Sequence, residues 1–277
     1  MRPPIHGRAS SPTAAAAVCK EEGVALDIKI LVIDVGGTHV KVIATGIRTP
    51  TKINSGDQMS AAQMVRDVRA ATKRWSYDAV SIGFPGPVAH DRPLAEPHNL
   101  GAGWVDFDFA KALGKPVKIL NDAAMQALGS YQGGRMLFLG LGTGLGAAMI
   151  LDGVTAPLEL AHLPYKNKRT YEEYVGAAGL AKRGKKRWRR SVLDVIDRLR
   201  AAMLCDYVVL GGGNAKLLGE LPEGVVLGSN ENAFTGGFRL WNLDKHASTE
   251  MPDIARSGMR SMTMAAAARH SQALIGK

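Results

Sequence analysis

The chain is short of cysteine: two residues, Cys19 and Cys205, in 277. So few thiols give no disulfide framework, and a reducing cytoplasm is the expected setting. Long apolar runs are missing as well, since none approaches the roughly 20 residues that a membrane-crossing helix needs. Periodicity is absent from residues 1–27, where Pro, Ser, Ala and Arg dominate. That segment reads as a disordered tail or a misassigned start; Arg2, Arg8 and the small-residue stretch Thr13 to Val18 lack the apolar centre of a targeting peptide. What remains is ordinary for a water-exposed α/β enzyme, 46% hydrophobic and 22% charged.

Evenly spread charge is lacking too. The formal net charge is +10, yet Lys182, Arg183, Lys185, Lys186, Arg187, Arg189 and Arg190 crowd into one segment, and without them 28 basic residues face 25 acidic ones. The run reads either as a solvated helix or loop surface or as a polyanion site.

Three glycine clusters stand out. Asp34-Val35-Gly36-Gly37-Thr38 lies between the apolar run Ile28 to Ile33 and the alternating stretch His39 to Ile43. It reads as a phosphate-binding hairpin. Gly36 and Gly37 are expected to turn with positive φ and bring N–H groups to a ligand, and Thr38 adds a hydroxyl donor. Asp34, at the end of a buried strand, is placed to hold a hydrated Mg²⁺ near the same phosphates. A plain Gly-Gly hairpin would share these residues. A second element favours the ligand: Arg135 to Leu141 runs into Gly142-Thr143-Gly144-Leu145-Gly146 and the strand Ala147 to Leu151, closed by Asp152-Gly153. Strand, glycine turn, strand thus occurs twice, about a hundred residues apart, as an internal repeat should. The third cluster, Gly211-Gly212-Gly213-Asn214, follows the strand Tyr207 to Leu210 and opens a short helical stretch. Together they suggest a nucleotide or polyphosphate gripped between two lobes.

Between the clusters the rhythm is α/β. Ser60 and Gln63 are expected to form a capping box for a helix reaching toward Trp75, and Thr170 and Glu173 another. Strands are expected at Ala79 to Phe84 and Val117 to Leu120, a short helix near Asp106 to Leu113, and a helix at Ser191 to Met203 with Val192, Val195, Ile196, Leu199 and Met203 on one face. Asn121-Asp122 sits at a strand end, where open α/β sheets place their chemistry. Asp122 there suits a general base, although local sequence alone favours a cap for the helix that follows. Lys41 and Lys118 read as solvated strand ends.

Taken in order, the Asp-Val-Gly-Gly-Thr turn, Gly-Phe-Pro-Gly-Pro at 83 to 87, Asn121-Asp122-Ala123-Ala124, Gly-Leu-Gly-Thr-Gly-Leu-Gly at 140 to 146, Glu159-Leu160-Ala161-His162 and the third glycine cluster resemble the ROK family of sugar kinases. The spacing is most similar to the polyphosphate glucokinase branch, over roughly residues 28 to 241. The resemblance implies a two-lobed, actin-like (ribonuclease H-like) α/β fold. Residues 28–121 would form the N-terminal lobe and 122–241 the C-terminal lobe; the resemblance stops after Trp241, and in the extension 242–277 the Met- and Ala-rich composition of Ser248 to Ala273 suggests a helix. The resemblance implies a hexose kinase that moves a terminal phosphoryl group from polyphosphate or ATP to the primary hydroxyl of glucose or a related hexose, with Mg²⁺. Asp122 would be the base. Asp34, Gly36, Gly37, Thr38, Gly142, Thr143, Gly144, Gly211, Gly212 and Gly213 would hold the donor. Gly86, Asn99, Asn121, Asp122, Glu159, His162 and Glu172 would hold the sugar, with the loop Asn99-Leu100 to Trp104 closing over it. Two departures matter. Ala161 replaces a glycine, and the cysteines of the family's zinc element are absent, so zinc is not expected. The expected partners are the sugar and the donor alone, without membrane or nucleic acid, a homodimer being left open. Two rivals remain, a non-catalytic sugar sensor and an actin-like assembly ATPase.

Overall fold

The computed structural model describes residues 28–229 and 231–241; the tail at 1–27 and the extension at 242–277 lie outside them. Strand β1 (Ile30–Val35) reverses into β2 (His39–Ala44) and again into β3 (Thr51–Asn54), both pairings antiparallel. After α1 (Ala61–Ala71), β4 (Ala79–Phe84) joins the other side of β1 in parallel. The small hairpin β5 (Val88–Ala89) and β6 (Arg92–Pro93) and helix α2 (Phe109–Leu113) intervene before β7 (Val117–Asn121) pairs parallel to β4. The sheet order is β3-β2-β1-β4-β7.

Helix α3 (Asp122–Ser130) leads into β8 (Arg135–Leu141), and the plan repeats. Strands β9 (Leu145–Leu151) and β10 (Val154–Leu158) fold back antiparallel, helices α4 (Tyr171–Val175) and α5 (Ala177–Met203) follow, and β11 (Tyr207–Gly211) and β12 (Val225–Leu227) return in parallel. The order β10-β9-β8-β11-β12 matches the first sheet strand for strand. This is the internal repeat foreshadowed by the two glycine turns. Helix α6 (Asn232–Arg239) completes the described chain.

The central strands read as apolar runs because both of their faces are covered: all six residues of β4 are buried, and Asp34 is the exception in β1. On the outer face of the first sheet, Leu31, Ile33 and Ile82 pack with Met64 and Val68 of α1 and with Trp104 and Phe109. Trp104 is fully buried, its ring 5.6 Å from Phe84 and 6.2 Å from Phe109, and its Nε1–H donates to the Met59 carbonyl at 3.2 Å. Its ring therefore belongs to the lobe core. In the second lobe Trp188 plays the corresponding part, donating to the Val175 carbonyl at 2.7 Å beside Val192, Val195, Ile196 and Leu199. The capping box at Thr170 and Glu173 forms with both bonds, whereas only the Ser60 half of the other is present, Oγ accepting from the Gln63 N–H at 3.3 Å.

Between the sheets lie α3 and α6. Met125 of α3 and Phe234 of α6 pack on Ile30, Val32 and Ile43 of the first sheet, while Ala123, Ala124, Ala127 and Leu128 of α3 pack on Met136, Phe138, Ile150 and Val209 of the second. The two helices cross backbone to backbone. A Cβ on Gly129 would stand 1.8 Å from the Asn232 carbonyl oxygen, and one on Gly236 1.8 Å from that of Met125. Arg239 then closes the C-terminus of α3, its Nη1 donating to the carbonyls of Leu128, Gly129 and Tyr131 at 2.9, 3.2 and 3.0 Å. Ser81 fastens α6 to β4, donating to the Gly237 carbonyl at 2.6 Å while accepting from Trp241 Nε1 at 2.9 Å.

Candidate active site

The first two glycine clusters occupy equivalent places, each joining the first two strands of its sheet. In the first hairpin neither Gly36 nor Gly37 has positive φ, contrary to expectation. Close approach is what demands glycine here: a Cβ on Gly36 would lie 2.9 Å from the His39 carbonyl oxygen, and one on Gly37 2.9 Å from Asn99 Cβ. The second contact brings an expected sugar residue onto the expected donor hairpin. Ser55 steadies the turn from β3's end, its hydroxyl donating to the Gly36 carbonyl at 2.6 Å.

The second and third clusters form one unit. Asn214 donates from its backbone to the Leu141 carbonyl at 3.0 Å and from Nδ2 to the Gly142 carbonyl at 3.1 Å. Gly212 is the one cluster glycine with positive φ, at 82°, and a Cβ there would meet Leu141 backbone at 2.5 Å. Around Gly142 and Gly213 a Cβ would meet nothing within 4 Å, so these two face open space. Gly144 is closely covered, a Cβ there falling 2.3 Å from Glu172 Oε2. Glu172, expected on the sugar, thus lies against the donor turn. The Thr143 carbonyl accepts from the Ala177 N–H at 3.0 Å, so α5 springs from this same turn.

Asn121, and not Asp122, caps α3. Its Oδ1 accepts from the N–H groups of Ala123 and Ala124 at 3.0 and 3.2 Å, and its Nδ2 donates to the Gly86 carbonyl at 3.0 Å. This corrects the local reading of Asp122 as cap; its carboxylate accepts from the Ala123 N–H at 2.7 Å and from its own backbone N–H. Burial pushes the Asp122 carboxyl up to about 7; the charge of Asp34 adds to the rise, the Ala123 N–H opposes it, and the charge of Glu159 adds a further share. Three carboxylates, from the end of β1, the start of α3 and the turn after β10, therefore share one field.

Asp34 is 16% exposed and paired with Lys41 Nζ at 3.2 Å, the two residues being register partners across β1 and β2. Lys41 is thus no solvated strand end; a hairpin with its turn at 36–38 sets it opposite Asp34, a signal present in the sequence. Lys118 is likewise engaged, donating to the Leu240 carbonyl at 3.2 Å with its Nζ 4.9 Å from the Trp241 ring centre.

Glu159 and His162 are exposed, whereas Leu160 and Ala161 between them are buried. The Ala161 methyl, where the family motif has glycine, is only 4% exposed and helps to anchor the turn, whose carbonyl accepts from the Glu172 N–H at 3.0 Å. The basic run lies on α5. Lys182, Lys185, Lys186, Arg187 and Arg190 are exposed, Arg183 stacks on Tyr174 at 3.5 Å, and Arg189 donates to the Glu220 carbonyl at 3.0 Å. Gly184, with φ 72° and ψ 158°, breaks the helix within the run. Among the described residues no group of three or more His, Cys, Asp or Glu side chains is arranged to hold a metal, and no helix is long and apolar enough to cross a membrane.

Residues 30–156 match the ROK family model. A polyphosphate glucokinase of Mycobacterium tuberculosis is 27% identical over 205 residues, 65% of this chain and 76% of the relative. Among solved structures, the inorganic polyphosphate/ATP-glucomannokinase of Arthrobacter sp. strain KM aligns with a TM-score of 0.65 at 21% identity, over 79% of this chain and 100% of that one. A ROK family glucokinase from Streptomyces griseus, in complex with glucose and AMPPNP, aligns with a TM-score of 0.62 at 16% identity, over 76% and 98%. At such identities the structural likeness establishes the two-lobed, actin-like fold alone.

Proposed function

We propose, from the premise that residues 30–156 are a ROK family domain, that the chain is a hexose kinase moving a terminal phosphoryl group from polyphosphate or ATP to the primary hydroxyl of glucose or a related hexose. One observation carries the reading: a carboxyl at a helix start, raised to about 7 and flanked by glycine turns at equivalent ends of two sheets. Such a group is half-ionised near neutrality and suits removal of a proton from an acceptor hydroxyl. Activity with a panel of sugars and donors, followed by sugar-phosphate release, tests it; no transfer from either donor class would end it.

In this reading residues 28–121 and 122–241 are the two lobes. Asp122 takes the hydroxyl proton as the phosphorus–oxygen bond forms. Backbone N–H groups at 36–38 and 142–144, with the Thr38 and Thr143 hydroxyls, hold the transferred group, and Gly211 to Gly213 cover the adenosine when ATP is the donor. Asn99, Glu159 and His162 read the sugar. Asn121 ties the Gly86 loop to the base, and Glu172 braces the Gly144 turn beside them.

Mg²⁺ supplies screening of the phosphate charge when bound. Asp34, a partly buried carboxylate with Lys41 as counter-ion, fits a magnesium held through water and donor oxygens, since no protein cage is present among the described residues. Activity is expected to vanish on removal of divalent cations, to return with Mg²⁺, and to survive a zinc-selective chelator. Zinc bound stoichiometrically by protein purified without added metal would contradict this.

The polyphosphate alternative rests on α5, whose first residue, Ala177, is bonded to the Thr143 carbonyl of the second glycine turn and which carries the basic run on either side of its break at Gly184. Replacing Lys185, Lys186, Arg187 and Arg190 by Gln should raise KM for long polyphosphate by about tenfold or more, weaken its salt dependence, and leave KM for ATP and glucose nearly unchanged. Arg189 is kept because it holds the Glu220 carbonyl. Equal effects on both donors would make the run a solvated surface.

A further inference from the structure

The segment between β10 and α4 carries Glu159 and His162 and then forms a small hairpin. Pro164 pairs with Thr170, and Tyr165 N–H donates to the Arg169 carbonyl at 2.7 Å. The turn closes with Arg169 N–H on the Lys166 carbonyl at 3.1 Å, and Asn167 and Lys168 both take the left-handed conformation, at φ 52° and 58°. Two such residues in succession, neither of them glycine, are costly and persist only where the surroundings hold them. The stretch that leads into this turn is gripped by a carboxylate on α5. Asp194 Oδ2 accepts from the Tyr165 hydroxyl, from Lys166 Nζ at 3.0 Å, and from Arg198 Nε at 2.9 Å one helical turn along. Tyr165 in turn packs edge-on against Tyr174 at 4.8 Å and tilted against Tyr171 at 5.2 Å, both on α4, and the Tyr174 hydroxyl accepts from Asn167 Nδ2 at 3.2 Å.

We propose that Asp194 is the positioning residue of the sugar-reading segment. It clasps the hairpin from α5 and so sets the backbone that presents Glu159 and His162 on one side and Glu172 on the other. Three mechanical links transmit the clasp: Tyr171 N–H on the Leu163 carbonyl at 3.1 Å, Glu172 N–H on the Ala161 carbonyl at 3.0 Å, and the aromatic stack on α4. The Asp194 carboxyl is held down to about 2, chiefly by the Tyr165 hydroxyl and then by the Lys166 and Arg198 donors, so the clasp is charged throughout the working pH range. Asp194 touches neither sugar nor donor in this scheme. Its effect on the sugar rests on the kinase reading, whereas its hold on the hairpin does not.

The test compares full-length wild type with Asp194→Ala and Tyr165→Phe by hydrogen exchange and by steady-state kinetics at saturating donor. Asp194→Ala is expected to speed exchange across 160–172 by about tenfold or more while β8 and β11 keep their protection. It is also expected to raise KM for glucose about tenfold with kcat within about threefold, and Tyr165→Phe, which keeps the two charged contacts, to give a smaller change in the same direction. Unchanged exchange at 160–172, uniform loss of protection through the second lobe, or a fall in kcat without a rise in KM would each overturn the proposal. If wild type phosphorylates no sugar, the kinase reading fails, and the exchange arm still decides whether Asp194 holds the hairpin.

Discussion

Asp122→Asn should lower turnover by about a hundredfold or more while leaving the fold and sugar affinity in place. The fold survives because capping of α3 rests on Asn121, and because the amide oxygen of Asn can still accept from the Ala123 N–H. What is lost is the proton acceptor. In the wild type, turnover should fall as pH drops through about 7, since only the ionised carboxylate can take a proton and burial with the Asp34 charge places its pKa there. A Mg²⁺ ion held near Asp34 would offset part of that charge and move the limb to lower pH. Stability runs the other way. A carboxyl raised from 3.8 to about 7 on folding contributes stability that is complete below 3.8 and is lost as pH rises through about 7. The neutral variant carries no such cost, so above neutrality it should be the more stable protein, by up to ~4 kcal/mol. Kinetics across pH and thermal melts at pH 6 and pH 9 check both halves. Turnover retained by the variant would remove Asp122 from the chemistry.

The second large effect concerns packing. Gly236→Ala should destabilise the protein by more than about 4 kcal/mol, a large share of the 5–15 kcal/mol that natural domains possess. A methyl at that position would stand 1.8 Å from the Met125 carbonyl oxygen and 3.0 Å from the Gly129 nitrogen, both backbone atoms of α3. No side chain can swing aside, so one helix must move off the other and uncover Met125 and Phe234. Gly142→Ala is the matched control, because a Cβ there meets nothing within 4 Å, and it should melt like wild type. Equal melting of the two variants would show that the crossing is looser than drawn.

These glycines show how far the sequence could be read. Strands β1, β4, β8 and β11 were legible as apolar runs since both faces are covered, and the two hairpin turns announced the repeat. Edge strands β3, β10 and β12 were not: Thr51, Lys52 and Asn54, for example, owe their strand to pairing with β2 and not to any pattern of their own. The glycines of the first hairpin were legible as a motif but for a different physical reason, because the crowding at Gly37 comes from Asn99, which only the fold brings there. Trp104 was read from its loop, whereas Phe84 and Phe109 decide where its ring goes. The candidate base stood out at its strand end, yet its raised pKa depends on Asp34 and Glu159, distant in sequence. Lys41 was missed because its partner lies across a strand pair.

The crossing of α3 and α6 has a mechanical side. Contact through bare backbone makes Gly129 a fulcrum, and α3 is then a lever with Asp122 at its N-terminal end, seven residues away, an arm of about 10 Å. A roll of one sheet over the other by about 10° would swing that end by about 2 Å. Displacements of about 1 Å in a reacting group are enough to change rates about a hundredfold. If the sheets roll over one another, the motion is geared to the candidate base through a helix whose far end Arg239 clamps.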